Sequence, residues 1–541
     1  MSSITLSEQQ SAILEFLRAG SGSGVVLARA GSGKTFIIKK MVAEIVARGL
    51  GVSYVGAFNR AIADSIKRDI EKMSISWADC AVNTAHGFGY GAIRRVWPKV
   101  RIDEKKVSLI VEGMAARVDL QPGRRPDQPN LLRQSSSVVA KLVGYAKQRG
   151  VGTTDTCLER ADQNSVWESI IGHYGLDDLP DGVSVGNLIS WAREALTLSE
   201  QQDSVVIDYD DMVLAPITHN LRIQQRNFVF VDEAQDTNPA RRALFARMLL
   251  PGGRLFAVGD DRQAINGFAG ADSDALDQII RRFDAAVLPI TTTYRCPRSV
   301  VSVARDIVPD IVAHDAADEG TVRIIDYDSD SPAPWFNFDD GPRAGDAVLC
   351  RTSFHLVSTA FAMIRRGITC FVEGRDIGMG LMALARRWNG VKTISALMTR
   401  LKKFEEQETK KWMDKGREDM AESVSDRVDT VRTICEWCTA RGQTTIADLC
   451  AQIETMFYDA DAPGDKNRKR VRKIDPARAI TLSTIHKAKG REWDRVFFLR
   501  RNKCPSKWAR ADWEIHQEMN LIYVGVTRAR RELYLMFDIA D

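Results

Sequence analysis

Lys34 and Thr35 close a run of small residues, Leu27-Ala28-Arg29-Ala30-Gly31-Ser32-Gly33-Lys34-Thr35, that joins one fixed cation to one hydroxyl. The glycines allow backbone N–H groups to wrap a polyphosphate, and a helix starting at this point adds a favourable dipole. In that arrangement Lys34 lies between the β- and γ-phosphates and Thr35 holds Mg²⁺. Ala28 stands where the general pattern has its first glycine. A glycine-rich turn ahead of a core helix is the alternative. Hydrolysis further needs a metal ligand, a group that orients water and positive charge for the leaving phosphate. Asp232, after the apolar Phe228-Val229-Phe230-Val231, fits the metal role, and Glu233 fits that of base for the attacking water. An acidic pair at a strand end can also cap a helix. Gln263, following Leu255-Phe256-Ala257-Val258, is placed to sense the γ-phosphate and the water.

These residues need elements that bring them to one edge. Val25-Val26-Leu27 predicts a buried strand, and Ile37, Ile38, Met41, Val42 and Ile45 predict one covered face of the following helix. Leu6 to Ile13 predicts an earlier helix with Ser7 as N-cap. Further strands are expected at 52–58, near Ala81-Val82, at 228–231 and at 255–258. Strands alternating with helices imply a parallel α/β sheet with ligands at the strands' carboxyl ends. Residues 90–204 read as an inserted helical subdomain. A second α/β unit is expected from about Leu288, with strands at 347–350, 479–483 and 533–537. Residues 386–476 read as helical and charged, ending in the basic run 466–473, a solvated linker.

Composition narrows the class. The 541 residues are 44% hydrophobic, ample for more than one core, and the net charge of +4 leaves any positive field local. No apolar run is long enough to span a bilayer and Met1 to Thr5 lacks a basic leader, so a cytoplasmic protein with no membrane partner is expected. Nine cysteines suggest reduced thiols; Cys435 and Cys438 form the one tight pair and read as helix-packed rather than zinc-bound.

Taken in order, Gln10, the Gly31–Thr35 loop, Asp232-Glu233-Ala234-Gln235-Asp236 and Val258-Gly259-Asp260-Asp261-Arg262-Gln263 resemble the motifs of superfamily 1A DNA helicases, the UvrD/Rep/PcrA family. Tyr294-Arg295, the stretch from Thr484 to Trp493 and Tyr523-Val524-Gly525-Val526-Thr527-Arg528-Ala529-Arg530 extend the resemblance to residue 530. The stretch from Ala57 to Ala61 and Thr84-Ala85-His86 are similar to the F-box DNA helicase branch. The resemblance implies an α/β fold of two recA-like P-loop domains with parallel sheets, each carrying a mostly helical insertion. Core 1A is expected over 1–89 and 205–285, insertion 1B over 90–204, core 2A over 286–385 and 477–541, and a short insertion 2B over 386–476.

The same resemblance implies ATP and Mg²⁺ as cofactors and 3′→5′ movement on single-stranded DNA and single-strand/duplex junctions, with replication or recombination proteins as further partners. Gln10 is then the adenine reader, Tyr294 its stacking ring and Glu492 the ribose ligand, beside phosphate contacts from Ala30, Gly31, Ser32 and Gly33. Arg295 and Arg528 become arginine fingers. Phe58, Asn59, Arg60, Thr84, His86, Phe268, Arg351, Thr484 and His486 line the strand, stacking on bases and holding phosphates. Asn266, Phe268 and Ala269 stand where the family usually has Tyr, Trp and Arg, so one ring and one cation are missing from that grip. A single-strand translocase that removes bound proteins and unwinds weakly is one alternative; a non-catalytic nucleic-acid-binding module is another.

Overall fold

The computed structural model describes residues 6–540 apart from 123–127, 178, 266–273, 329–334, 338, 415–417, 459–474, 508 and 510–511. Phe268 and the basic run 466–473 lie outside the described residues. The chain divides into two compact units, 1–28 with 33–290, and 29–32 with 291–541.

The first unit is built on six parallel strands: β1 (Gly24–Ala28), β2 (Ser53–Ala57), β3 (Cys80–Thr84), β4 (Arg226–Asp232), β5 (Leu249–Gly259) and β6 (Ala286–Ile290), in the order β6-β1-β5-β4-β2-β3. Because side chains alternate along a strand, Phe228 and Phe230 enter one core while Val229 and Val231 enter another on the opposite face. The first core is covered by α1 (Glu8–Arg18), α2 (Lys34–Ala47) and α3 (Arg60–Lys72), and all five apolar residues expected on α2 are buried. Burial on both faces explains why these strands read as unbroken apolar runs. Ser7 caps α1 through a capping box with Gln10.

On the other face α4 (Ala85–Val96) follows β3, and the chain continues through α5 (Lys106–Asp119), α6 (Leu131–Arg149), α7 (Asn164–Tyr174) and α8 (Val185–Gln201). These last four share a core of their own around Val139, Leu142, Trp167 and Leu196. Then α9 (Tyr209–Thr218) and α10 (Pro239–Arg247) pack back on the sheet. One expectation is corrected. The second core was expected from residue 286, but β6 pairs in parallel with β1, Ala286 opposite Gly24 through Ile290 opposite Ala28. Ala286-Val287-Leu288-Pro289-Ile290 is apolar enough for either sheet, and only a partner some 260 positions away decides.

The second unit holds a seven-stranded parallel sheet: β7 (Thr321–Tyr327), β8 (Ala347–Cys350), β9 (Cys370–Glu373), β10 (Phe457–Tyr458), β11 (Ile480–Thr484), β12 (Trp493–Phe498) and β13 (Ala529–Asp538), ordered β7-β13-β12-β8-β11-β9-β10. Its core draws in the helices Ile394–Asp414, Glu418–Thr439 and Ile446–Met456, where Cys435 and Cys438 are buried as free thiols. Among the described residues no helix is long and apolar enough to cross a membrane.

Candidate nucleotide site and strand-facing residues

The phosphate loop delivers α2 with its first turn open. Gly33 takes the N-cap position at φ 88°, a left-handed conformation that glycine adopts without strain, and no side chain caps the helix. Gly31 is likewise left-handed at φ 72°, and the Ser32 N–H closes the turn on the Arg29 carbonyl at 3.1 Å. Ala30 and Ser32 are buried. An uncapped helix start leaves its N–H groups for an anion.

Across from it, β4 ends in the acidic pair. Thr35 Oγ1 donates to Asp232 Oδ2 at 3.3 Å, and Lys34 Nζ lies 3.2 Å from Glu233 Oε2. Burial, with Glu233 next to it, pushes the Asp232 carboxyl up to about 7. Glu233 itself sits at φ 50°, and neither acid caps the short turn Ala234–Asp236, so the helix-cap alternative is not realised. The residues fit a magnesium nucleotide. The buried Lys34 Nζ has an ion-pair contact but no aligned hydrogen bond, and Thr35 with Asp232 offers the hard oxygens Mg²⁺ prefers.

Gln263 joins this group through Asp260 and Gln235, motif residues to which the sequence alone assigns no role. Its Nε2 donates to Asp260 Oδ2 at 2.8 Å, the Asp260 N–H donates to Gln235 Oε1 at 3.1 Å, and Gln235 Nε2 donates to Glu233 Oε2 at 2.6 Å. Gln235 and Asp260 therefore fix the carboxylate that would act as base. Their signal was position alone, each within three residues of an expected site residue at a strand end. Gln10 is buried, its Oε1 accepting from the Ser7 N–H at 3.2 Å, and its amide lies 3.6 Å from where a Cβ on Gly33 would stand. The capping box thus aims Gln10 at the loop.

At the strand ends of the same unit, Asn59 caps α3 by accepting from the Ile62 N–H at 2.9 Å, and Thr84 caps α4 by accepting from Gly87 at 3.1 Å. These polar groups serve their helices first. Phe58 is 38% exposed, which no core role explains, and Arg60 is nearly fully exposed. Burial, then the charge of Arg241, holds His86 down at about 4.

In the second unit Arg295 pairs with Glu492, and Arg530 approaches the same carboxylate at 3.6 Å. Tyr294 is 46% exposed with its ring 4.8 Å from that of His314. Arg528 is buried: Nε donates to the Val524 carbonyl at 2.8 Å, Nη1 to Arg491 at 3.1 Å and Nη2 to Thr527 Oγ1 at 3.1 Å. Thr484 caps a four-residue helix by accepting from Lys487 at 3.4 Å. Arg351 pairs with Glu518 at 2.9 Å, and His486 beside them is held at about 4, chiefly by burial. Glu518, 167 positions from Arg351, carried no local signal.

A parallel sheet, an uncapped helix behind a Gly-Ser-Gly-Lys-Thr loop and an acidic pair at a nearby strand end define a P-loop nucleotide hydrolase. The family profile of the UvrD/REP helicase N-terminal domain matches residues 6–284, and that of the UvrD-like helicase C-terminal domain matches residues 385–538. The chain belongs to the UvrD/REP helicase family. It is similar to the ATP-dependent DNA helicase UvrD2 of Mycobacterium tuberculosis, 24% identical over 98% of this chain and 78% of that protein. It is also similar to the ATP-dependent DNA helicase Rep of Escherichia coli, 26% identical over 56% of this chain and 42% of Rep. UvrD1 of Mycobacterium tuberculosis is 26% identical over 52% of this chain and 37% of its own length.

Proposed function

We propose that the protein is an ATP-dependent DNA helicase that translocates 3′→5′ along single-stranded DNA and acts at single-strand/duplex junctions. The observation that carries this reading is the cluster of Lys34, Thr35, Asp232 and Glu233, with Gln263 tied to Glu233 through Asp260 and Gln235. Bound MgATP supplies the phosphoanhydride bond and a divalent charge. Lys34 and the open start of α2 hold negative charge, Thr35 and Asp232 hold the metal, and Glu233 takes a proton from water. Gln10, Tyr294 and Glu492 bind the nucleoside, and Arg295 and Arg528 serve as cations for the γ-phosphate. Phe58, Asn59, Arg60, Thr84, His86, Phe268, Arg351, Thr484 and His486 contact the strand. The two cores with helical insertions 1B and 2B are the domain plan that goes with this role, the first core ending after β6, and replication or recombination proteins are the expected partners.

DNA-stimulated ATPase and unwinding of 3′- and 5′-tailed duplexes test the reading. Glu233→Gln should bind ATP and lose about 10²–10⁴-fold in kcat, the usual contribution of a general base. Substantial turnover in that variant, or unwinding only from 5′ tails, refutes it.

A further inference from the structure

The arginines of the first unit differ in how fully they are satisfied. Arg226 donates to the carbonyls of Trp77 and Ala78, at 3.3 and 2.5 Å. Arg254 donates to the carbonyls of Phe16, Leu17, Ser21 and Gly22. Arg242 donates to the Thr237 carbonyl at 2.6 Å and to Gln278 Oε1 at 2.5 Å. Arg241, the residue before it on α10, is half-buried. Its backbone N–H donates to Asn238 Oδ1 at 2.9 Å, but its guanidinium has no hydrogen bond or ion pair with any described residue.

The nearby carboxylates do not claim it. Asp210 and Asp236 act on Arg241 only through longer-range charge. Arg241 instead lines a small cavity with Ala57, Phe58 and His86, floored by Asp232 and Thr237. Its enclosed part, about 10 Å³, has room for about one oxygen-sized group. His86 is kept neutral there by burial, then by the charge of Arg241. A guanidinium with open donors, beside an exposed ring at the carboxyl ends of β2 and β3, matches the oxygens of a phosphodiester.

We propose that Arg241 binds a backbone phosphate of the single strand, beside Phe58 and His86, and so contributes a cation to the strand grip that the motif around Ala269 lacks. The proposal rests on the strand-translocase reading. Binding of an oligothymidylate is measured against salt for wild type, Arg241→Gln and Arg241→Lys, with melting curves for each. Losing one phosphate contact should flatten the slope of log K against log salt by about 0.7 for a single strand. Arg241→Lys should keep the slope. A native-melting Arg241→Gln with wild-type slope and affinity overturns the role of Arg241. Wild type that fails to bind the oligonucleotide overturns the translocase reading as well. If Arg241→Gln does not fold, wild type treated with a guanidine-selective dicarbonyl reagent gives the answer by mass spectrometry. The oligonucleotide should protect Arg241 from labelling, and equal labelling with and without it overturns the proposal.

Discussion

Thr84-Ala85-His86 in the first unit and Thr484-Ile485-His486 in the second repeat one local device. In both, a threonine at the end of a parallel strand caps the next helix, and a histidine two residues later is kept neutral, at about 4, chiefly by burial. The charge around them differs. Beside His486 the cation Arg351 is bonded through Nε to Glu518, whose carboxylate also accepts from the Ser506 N–H at 2.8 Å. Beside His86 the guanidinium of Arg241 has no bond to any described residue, and Asp210 and Asp236 act on it through charge alone. A shared cap-and-histidine pattern therefore does not fix the setting of the neighbouring cation. Local sequence sets the cap and the histidine, while distant residues set whether a cation is available.

The largest effect should come from the lysine between Asp208 and Asp211. Lys147 is buried between Asp208 and Asp211, and Lys147→Met removes one charge and leaves two carboxylates short of a partner. Breaking a buried pair in this way costs about 3–5 kcal/mol. Chemical denaturation should show that loss, and a stable Lys147→Met protein would mean the acids are satisfied elsewhere. In the second unit Glu518→Ala strips the counter-ion from Arg351, whose side chain is 23% exposed. Partial exposure puts the cost nearer to 3 kcal/mol, the low end of the same range. It should also tighten binding of an oligothymidylate by the folded protein, because one neutralising carboxylate beside Arg351 is gone; unchanged affinity would place Arg351 off the strand path.

A smaller difference separates the two caps. Thr84→Ala removes a 3.1 Å bond that starts a 12-residue helix and should cost about 1 kcal/mol. Thr484→Ala removes a 3.4 Å bond to a four-residue helix and should cost about 0.5 kcal/mol. Equal losses would show that helix length has no bearing on either cap.

What could be read in advance follows the range of the forces involved. Buried parallel strands announce themselves as apolar runs, and Lys34, Thr35, Asp232 and Glu233 stand at run ends, where chemistry in such sheets is placed. The fold class was therefore legible, and so was the meeting of these four side chains. The assignment of β6 was not, since an apolar pentapeptide carries no label for its sheet. The Arg351–Glu518 pair and the Lys106 and Lys147 network join residues 61 to 167 positions apart, and no local pattern tells which acid each cation meets. Arg241 was invisible for the same reason, as the first of two arginines in a polar helix turn.

The finest test of the paired motifs is their pH dependence. Each histidine has a native pKa near 4 against an ordinary value of 6.5, so between these values the unfolded chain binds more protons than the native one. The stability given by each neutral ring is complete above pH 6.5 and is lost as pH falls toward 4. In the first unit Asp232, its carboxyl raised to about 7, works in the opposite sense, and so does Asp210. Burial raises the Asp210 carboxyl to about 6, so protonation below that pH favours the native state. Acidification should consequently destabilise the second unit more than the first, although the two motifs match. Calorimetric scans from pH 7.5 to 5 on wild type, His86→Gln and His486→Gln isolate each ring from Asp210. Both substitutions should shrink the fall in melting temperature across that interval, since glutamine has no proton to gain. Asp210→Asn should make the first unit more acid-sensitive than it is in wild type. If it leaves the profile unchanged, Asp210 does not buffer its unit.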